Sequence, residues 1–340
     1  MINLYKMSFF VTLIVGTLIT IASNSWLGMW MGLEINLLSI IPLMNNSTNP
    51  RSSEAALKYF ITQTMASMVL LMAMLMMQTS TWNFSDLNLK EMPSIVAIFS
   101  LAMKMGAAPF HFWLPEVMEG LTWMNSLILL TWQKIAPMCI MFLIYKPIKI
   151  MAILILFCML VSGIMGMNQT SLQKIMAYSS INHMGWMLAA LTLNQTIWTS
   201  YFLIYSLMNV VIVAYFSWNN SFQVNHLFKM FQQNPKEKII FSMNFMSLAG
   251  IPPFIGFLPK WMVIQALTLN HMMGIAYLMI VFTLITMYYY LRISIPPLTF
   301  SANSNIQLTK IDSNMSKTWF LANLFLLSSL LILTFSFNWM

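Results

Sequence analysis

The chain has 340 residues, of which 59% are hydrophobic and only 7% charged, with a formal net charge of +8. An ordinary soluble domain carries about 25% charged residues, so the composition excludes a soluble enzyme and makes lipid the solvent for most of the surface. The positive charge does not point to nucleic acid, because the basic residues cluster in short connections between apolar runs.

Apolar runs of about 17 to 25 residues, the length that crosses a bilayer, fall in chain order at 4–23, 25–44, 56–78, 93–110, 122–144, 148–167, 175–193, 197–218, 239–268, 274–292 and 318–338. They predict an all-α polytopic membrane protein of about eleven transmembrane helices, as a single membrane-embedded domain over 1–340. The first run begins at Leu4 with no Arg-rich presequence, so no removable leader is expected. An odd number of crossings puts the termini on opposite sides. With the N-terminus inside, the inner connections hold Lys6, Arg51, Lys58, Lys174, Lys229, Lys236, Lys238, Arg292, Lys310 and Lys317, and the outer ones only Lys90, Lys146 and Lys149, as the positive-inside rule requires. Cys139 and Cys158 sit in apolar runs without a C-x-x-C pattern, so no disulfide framework, iron-sulfur cluster or covalent haem is expected, nor any metal site. The 36 methionines scattered through the spans fit either an organellar genetic code that reads an isoleucine codon as Met or drift among interchangeable apolar residues.

The remaining charges are the informative ones. Lys104, Lys134, Lys260 and Glu34 sit near the middles of apolar spans, where a charge costs about 2.5 to 3.5 kcal/mol on insertion scales. Four of them argue for a buried polar pathway, with ion movement, of protons above all, as its use. Burial disfavours a charged ammonium and a carboxylate beside it favours one, so such a lysine can exchange a proton when its partner or hydration changes. The competing reading of Glu34, Lys104 and Lys134 is a static ion pair that locks helix packing, and Lys260 could snorkel to the surface. Two spans should not run as uniform helices. Gly250-Ile-Pro-Pro253 interrupts the ninth just before Lys260, and Pro109 and Pro115 follow Lys104 in the fourth. Paired discontinuous helices mark transport sites in inverted-repeat folds. Lys174 is either a topological charge or a proton-uptake site. His183 is a relay or a packed histidine, and His111 a loop-ordering contact or a relay. Glu116 and Glu119 lie in a polar connection, and His226 and His271 read as loop or interface residues.

The runs Lys104-Met-Gly-Ala-Ala-Pro-Phe-His-Phe-Trp-Leu-Pro-Glu116, Leu172-Gln-Lys-Ile-Met-Ala-Tyr-Ser-Ser-Ile-Asn-His183-Met-Gly185 and Gly250-Ile-Pro-Pro-Phe-Ile-Gly-Phe-Leu-Pro-Lys260 resemble the subunit 2 family of mitochondrial NADH:ubiquinone oxidoreductase, respiratory complex I, in its animal, invertebrate-type form. Ser23-Asn-Ser-Trp-Leu-Gly-Met-Trp-Met-Gly-Leu-Glu34 and Glu54-Ala-Ala-Leu-Lys-Tyr-Phe60 extend the likeness over nearly the whole chain. Bacterial relatives carry Asp where Glu116 follows the Leu-Pro, and three further N-terminal helices. The resemblance implies an antiporter-like inverted-repeat fold and a role in redox-driven proton translocation, with Glu34, Lys104, Lys134 and Lys260 as the relay and Lys174, His183 and His111 as further relay or uptake candidates. It implies no redox cofactor in this chain, the FMN, iron-sulfur clusters, NADH and ubiquinone belonging to the rest of the complex. The implied partners are an antiporter-like neighbour, small membrane subunits and lipid, cardiolipin among its candidates. The implied location is the mitochondrial inner membrane, N-terminus in the matrix and C-terminus in the intermembrane space. A stand-alone cation/proton antiporter and a helical scaffold are the competing functions.

Overall fold

The computed structural model describes residues 4–45, 49–83, 87–144, 146–231 and 235–299. The eleventh expected span, at 318–338, and the C-terminus on which the topology depends lie outside them. The described residues form helices throughout, apart from one isolated bridge between Ser171 and Gln223. In chain order these are α1 (Leu4–Ala22), α2 (Trp26–Met44), α3 (Pro50–Asn83), α4 (Leu87–Met105), α5 (Trp113–Gly120), α6 (Trp123–Leu130), α7 (Trp132–Leu143), α8 (Ile148–Gly166), α9 (Leu172–Leu193), α10 (Gln195–Trp218), α11 (Val224–Phe231), α12 (Pro235–Ala249), α13 (Phe257–Leu269) and α14 (Met273–Thr299).

Among the described residues seven stretches are long and apolar enough to cross a membrane: α1, α2, α3, α6 with α7, α8, α10 and α14. The polytopic membrane architecture follows from these. The ninth expected span is two helices, α12 and α13, because Gly250 takes a left-handed φ of +82° and two prolines follow it. The fourth ends at Met105, five residues earlier than expected, and the chain re-forms a helix only at Trp113. The fifth is divided at Thr131, which the sequence did not signal. There the Thr131 backbone turns to φ −113° and ψ −70°, well off the ideal helical values, and Pro137, six residues on, cannot donate to the Gln133 carbonyl.

Helix α9 is buried on nearly every side, and its buried residues include Gln173, Ser179, Ser180, Asn182 and His183. A helix surrounded by protein rather than lipid can carry such groups if neighbours partner them, and α8, α10 and α14 supply those neighbours. Lipid-length faces appear instead on α3 and α10, where Met65, Met68, Met72, Leu203 and Leu207 are exposed.

The connections sort into two faces. On one, Lys58 pairs with Glu116 at 2.8 Å, Lys174 with Glu119 at 2.7 Å, Leu172 N–H donates to the Phe222 carbonyl at 2.9 Å, and Arg292 donates to the Met167 carbonyl. On the other, Lys146 donates to the Leu191 carbonyl at 3.0 Å. Lys58, Lys174 and Arg292 thus lie in helices α3, α9 and α14 and bond to Glu116, Glu119 and the Met167 carbonyl on this face.

Candidate functional site

All three lysines of interest are buried, with exposures of 7% for Lys104, 1% for Lys134 and 5% for Lys260. Lys104 stands in the last turn of α4, the end at which the helix dipole favours a cation. The Met103 carbonyl beside it accepts from Trp113 Nε1 at 3.0 Å, and its own carbonyl accepts from Gln63 Nε2 at 3.1 Å. Glu34, on α2, lies within electrostatic reach of Lys104 without an ion-pair contact, and its Oε1 is buried with no hydrogen bond. The link between them is therefore one of field rather than touch. Beside Lys104 is a cavity of ≈ 10 Å³, room for about one water, lined also by Asn36, Tyr59, Gln63 and Gln133. Tyr59 donates to Gln133 at 3.4 Å, and Gln133 donates to Asn36 at 2.8 Å. Gln133 immediately precedes Lys134, so this polar cluster reaches from the first lysine to the neighbour of the second.

Lys134 donates to the Tyr205 hydroxyl at 3.1 Å and stands 4.9 Å from the centre of that ring. His183 Nδ1 is joined to the Tyr201 hydroxyl at 2.9 Å, and its ring lies 5.0 Å from that of Tyr205. The same histidine is within electrostatic reach of both Lys134 and Lys260. Lys260, on α13, turns back to donate to the Ala249 carbonyl at 2.7 Å and the Leu248 carbonyl at 3.5 Å. These are the last carbonyls of α12, left without intrahelical partners by the interruption. Lys260 is thereby folded inward and does not snorkel. Its ammonium also stands 6.0 Å from the Trp186 ring of α9.

The membrane-domain model described as NADH:quinone oxidoreductase/Mrp antiporter matches residues 23–286. The chain belongs to that family. NADH-ubiquinone oxidoreductase chain 2 of Anopheles gambiae is 47% identical over 96% of this chain and 96% of its own, and that of Locusta migratoria 46% identical over 92% and 91%. A chain of respiratory complex I from Thermus thermophilus with bound aureothin shares the fold at a TM-score of 0.81, with 24% identity over 88% of this chain and 72% of that one.

Within this antiporter-family fold the remaining candidates stand apart from the lysine line. Lys174 forms its ion pair with Glu119 on the basic face, and Glu116 is bound by Lys58. His111 is buried, with Nδ1 3.2 Å from the Pro109 carbonyl, a contact within its own turn. His271 sits in a left-handed turn after α13. Among the described residues no three His, Cys, Asp or Glu side chains are grouped to hold a metal. Tyr59, Gln133, Asn36, Tyr201 and Tyr205 carry the polar links yet were invisible as site residues in the sequence. Each lies far along the chain from the partner that gives it meaning; Gln133, adjacent to Lys134, was the one available hint.

Proposed function

We propose that the chain is the chain 2 subunit of the membrane arm of mitochondrial NADH:ubiquinone oxidoreductase, respiratory complex I, and that it moves protons through Glu34, Lys104, Lys134 and Lys260. It is thus part of a redox-driven translocase and has no redox centre of its own; NADH, FMN, iron-sulfur clusters and ubiquinone are bound elsewhere in the complex. The observation that carries the relay is three buried lysines with polar pairs between them, Gln133 with Asn36 on the Lys104 side and Lys134 with Tyr205 and His183 with Tyr201 on the other.

In this reading α4 with α5, and α12 with α13, are the two halves of discontinuous membrane helices related by an inverted repeat, and about eleven crossings complete the fold. The ends of the half-helices do electrostatic work. The C-terminal carbonyls of α12 hold cationic Lys260, so that lysine needs no carboxylate in contact. Glu34, acting through space on Lys104, can then change the affinity of that site by a small shift in separation, because the Coulomb energy in a poorly screened interior changes steeply with distance. A proton released from Lys104 passes by the Gln133 cluster to Lys134, and by Tyr205 and His183 toward Lys260. Each transfer must work against a membrane potential worth about 2.3 kcal/mol per charge per 100 mV, so conformational coupling to quinone reduction in neighbouring subunits has to supply the swing. The chain lies in the inner membrane with its N-terminus and the Arg51, Lys174 and Arg292 face toward the matrix, its C-terminus toward the intermembrane space. An antiporter-like subunit, small membrane subunits and lipid, cardiolipin included, surround it.

Blue-native electrophoresis of solubilised mitochondrial membranes tests membership: mass spectrometry should find the chain in the NADH-oxidising band, and migration as a separate small species would favour a free antiporter. For the relay, Lys134→Met should leave the complex assembled and abolish pumping. Normal pumping in that variant would end the relay reading.

A further inference from the structure

Helices α4 and α12 both end at an interruption with a buried lysine beside it, and the two ends are closed differently. At α12 the carbonyls of Met246 and Ser247 accept from the backbone N–H groups of Gly250 and Ile251, and the last two, of Leu248 and Ala249, accept from the Lys260 ammonium. At α4 the Ala102 carbonyl accepts from Ala107 N–H at 2.9 Å, and the Met103 carbonyl from Gly106 N–H at 3.2 Å and Trp113 Nε1 at 3.0 Å. The Lys104 carbonyl accepts from Gln63 Nε2 of α3 at 3.1 Å. A carbonyl oxygen has two lone pairs, so that of Met103 is fully used. The side-chain donors at this end are an indole and an amide, where the other end has a cation.

Both donors are held in place. Gln63 is buried. The Trp113 ring meets that of Tyr59 edge-on with centroids 5.7 Å apart, and it lies so close to Gly106 that a Cβ there would stand 3.2 Å from Cζ2. Gly106 takes a φ of +72°, a left-handed turn that glycine adopts without strain. The consequence falls on the Lys104 ammonium. A lysine in the last turn of a helix can bond the final carbonyls, yet among the described residues this ammonium makes no hydrogen bond and no ion pair. Lys104 instead lines the ≈ 10 Å³ cavity whose wall it shares with Leu33 and Asn36, on either side of Glu34 in α2.

We infer that Gln63 and Trp113 are positioning residues for Lys104: by occupying the carbonyls at the end of α4 they keep its ammonium off the backbone and leave its charge to Glu34 and the cavity. Lys260, whose ammonium the backbone holds, has no such freedom. The two lysines beside the interruptions therefore differ in kind, one fixed by the fold and the other set by the carboxylate of α2. The inference rests on the relay reading above and adds the groups that make Lys104 its controllable member.

The test uses the assembled complex in sealed vesicles carrying Gln63→Met, which keeps the length of the side chain and removes the donor. The freed Lys104 carbonyl is then a buried acceptor in want of a donor, and the ammonium turns to the end of its own helix. Proton pumping should fall about tenfold, the effect of roughly 1.4 kcal/mol on a barrier. Glu34→Gln and the double variant complete a cycle. Because Gln63 acts by leaving Lys104 to Glu34, adding Gln63→Met to Glu34→Gln should lower pumping by less than about twofold more. A parental rate in Gln63→Met would overturn the inference, and so would a further loss of about tenfold on top of Glu34→Gln, the additive result of a merely structural role. Lys104→Met separates the inference from the relay. If that variant pumps normally both fall; if it abolishes pumping while Gln63→Met pumps normally, only the positioning falls. Should Gln63→Met not assemble, or Glu34→Gln leave no pumping to compare, a high-resolution electron cryo-microscopy map of the unsubstituted complex decides. Gln63 and Trp113 on their carbonyls with the Lys104 ammonium turned toward α2 would support the inference, and the ammonium within hydrogen-bonding distance of an α4 carbonyl would overturn it.

Discussion

Lys260 is held by backbone rather than by an acid, and two glycines make that possible. A Cβ on Gly256 would stand 1.8 Å from the Ser247 carbonyl oxygen, so the chain between α12 and α13 crosses the end of α12 at a separation that no side chain permits. Gly250, at φ +82°, is different: its nearest obstacle is the Lys260 ammonium at 2.8 Å, the movable end of a long side chain. Alanine at 250 should cost about 1 to 2 kcal/mol for the left-handed backbone plus a displaced Lys260. At 256 it must push two backbones apart. We therefore predict that Gly256→Ala leaves little assembled complex, whereas Gly250→Ala assembles but turns over slowly, as native gels with in-gel NADH oxidation will report. Equal assembly in the two variants would contradict this account. At this scale the charged residues stood out in the sequence, because a charge within an apolar span is costly. Their partners were not. Tyr205, Asn36 and Gln133 are common residue types in membrane helices, and only the crossing of α2, α3, α7, α9 and α10 turns them into contacts.

Between elements, α9 is tied to the α5 end by two bonds of different kinds. Lys174 and Glu119 are close at 2.7 Å, yet their side chains are 29% and 42% exposed. Such partly exposed pairs contribute at most about 1 kcal/mol. The neighbouring Gln173 is buried and donates to the Leu121 carbonyl at 2.6 Å, and removing it strands a buried acceptor at about 1 to 3 kcal/mol. Lys174→Gln should thus leave the thermal stability of the purified complex nearly unchanged, and Gln173→Leu should lower it measurably. If Lys174→Gln slowed pumping at unchanged stability, the lysine would be a site of proton uptake; if it lowered stability as much as Gln173→Leu, the estimate of the pair is wrong. Element boundaries were readable where chemistry forbids a helix, as at Pro252 and Pro253. The division at Thr131 was not, since no glycine or proline stands at the turn itself. Nor does hydropathy single out α9, because its polar face is shielded by protein rather than by lipid.

For the whole molecule, sidedness is the property that function needs, since a path that takes up protons must open to one compartment and release to the other. The two faces of the fold differ in charge because their connections do. Lys58, Lys174 and Arg292 bond to Glu116, Glu119 and the Met167 carbonyl on one face, where Arg51 begins α3, and Lys146 bonds to the end of α9 on the other, where Lys149 begins α8. The positive-inside rule orients the first group toward the compartment of synthesis, which under the proposed location is the matrix. Arg51 and Lys149 are both exposed, and the native cysteines do not compete, Cys158 being buried and Cys139 half-buried within helices. A membrane-impermeant thiol reagent should therefore label Lys149→Cys in intact mitoplasts and Arg51→Cys only after the membrane is opened or inverted. The reverse pattern would turn the molecule over. Labelling of both from one side would mean that the two sets of connections do not lie across a bilayer at all, and would remove the helices between them from the membrane.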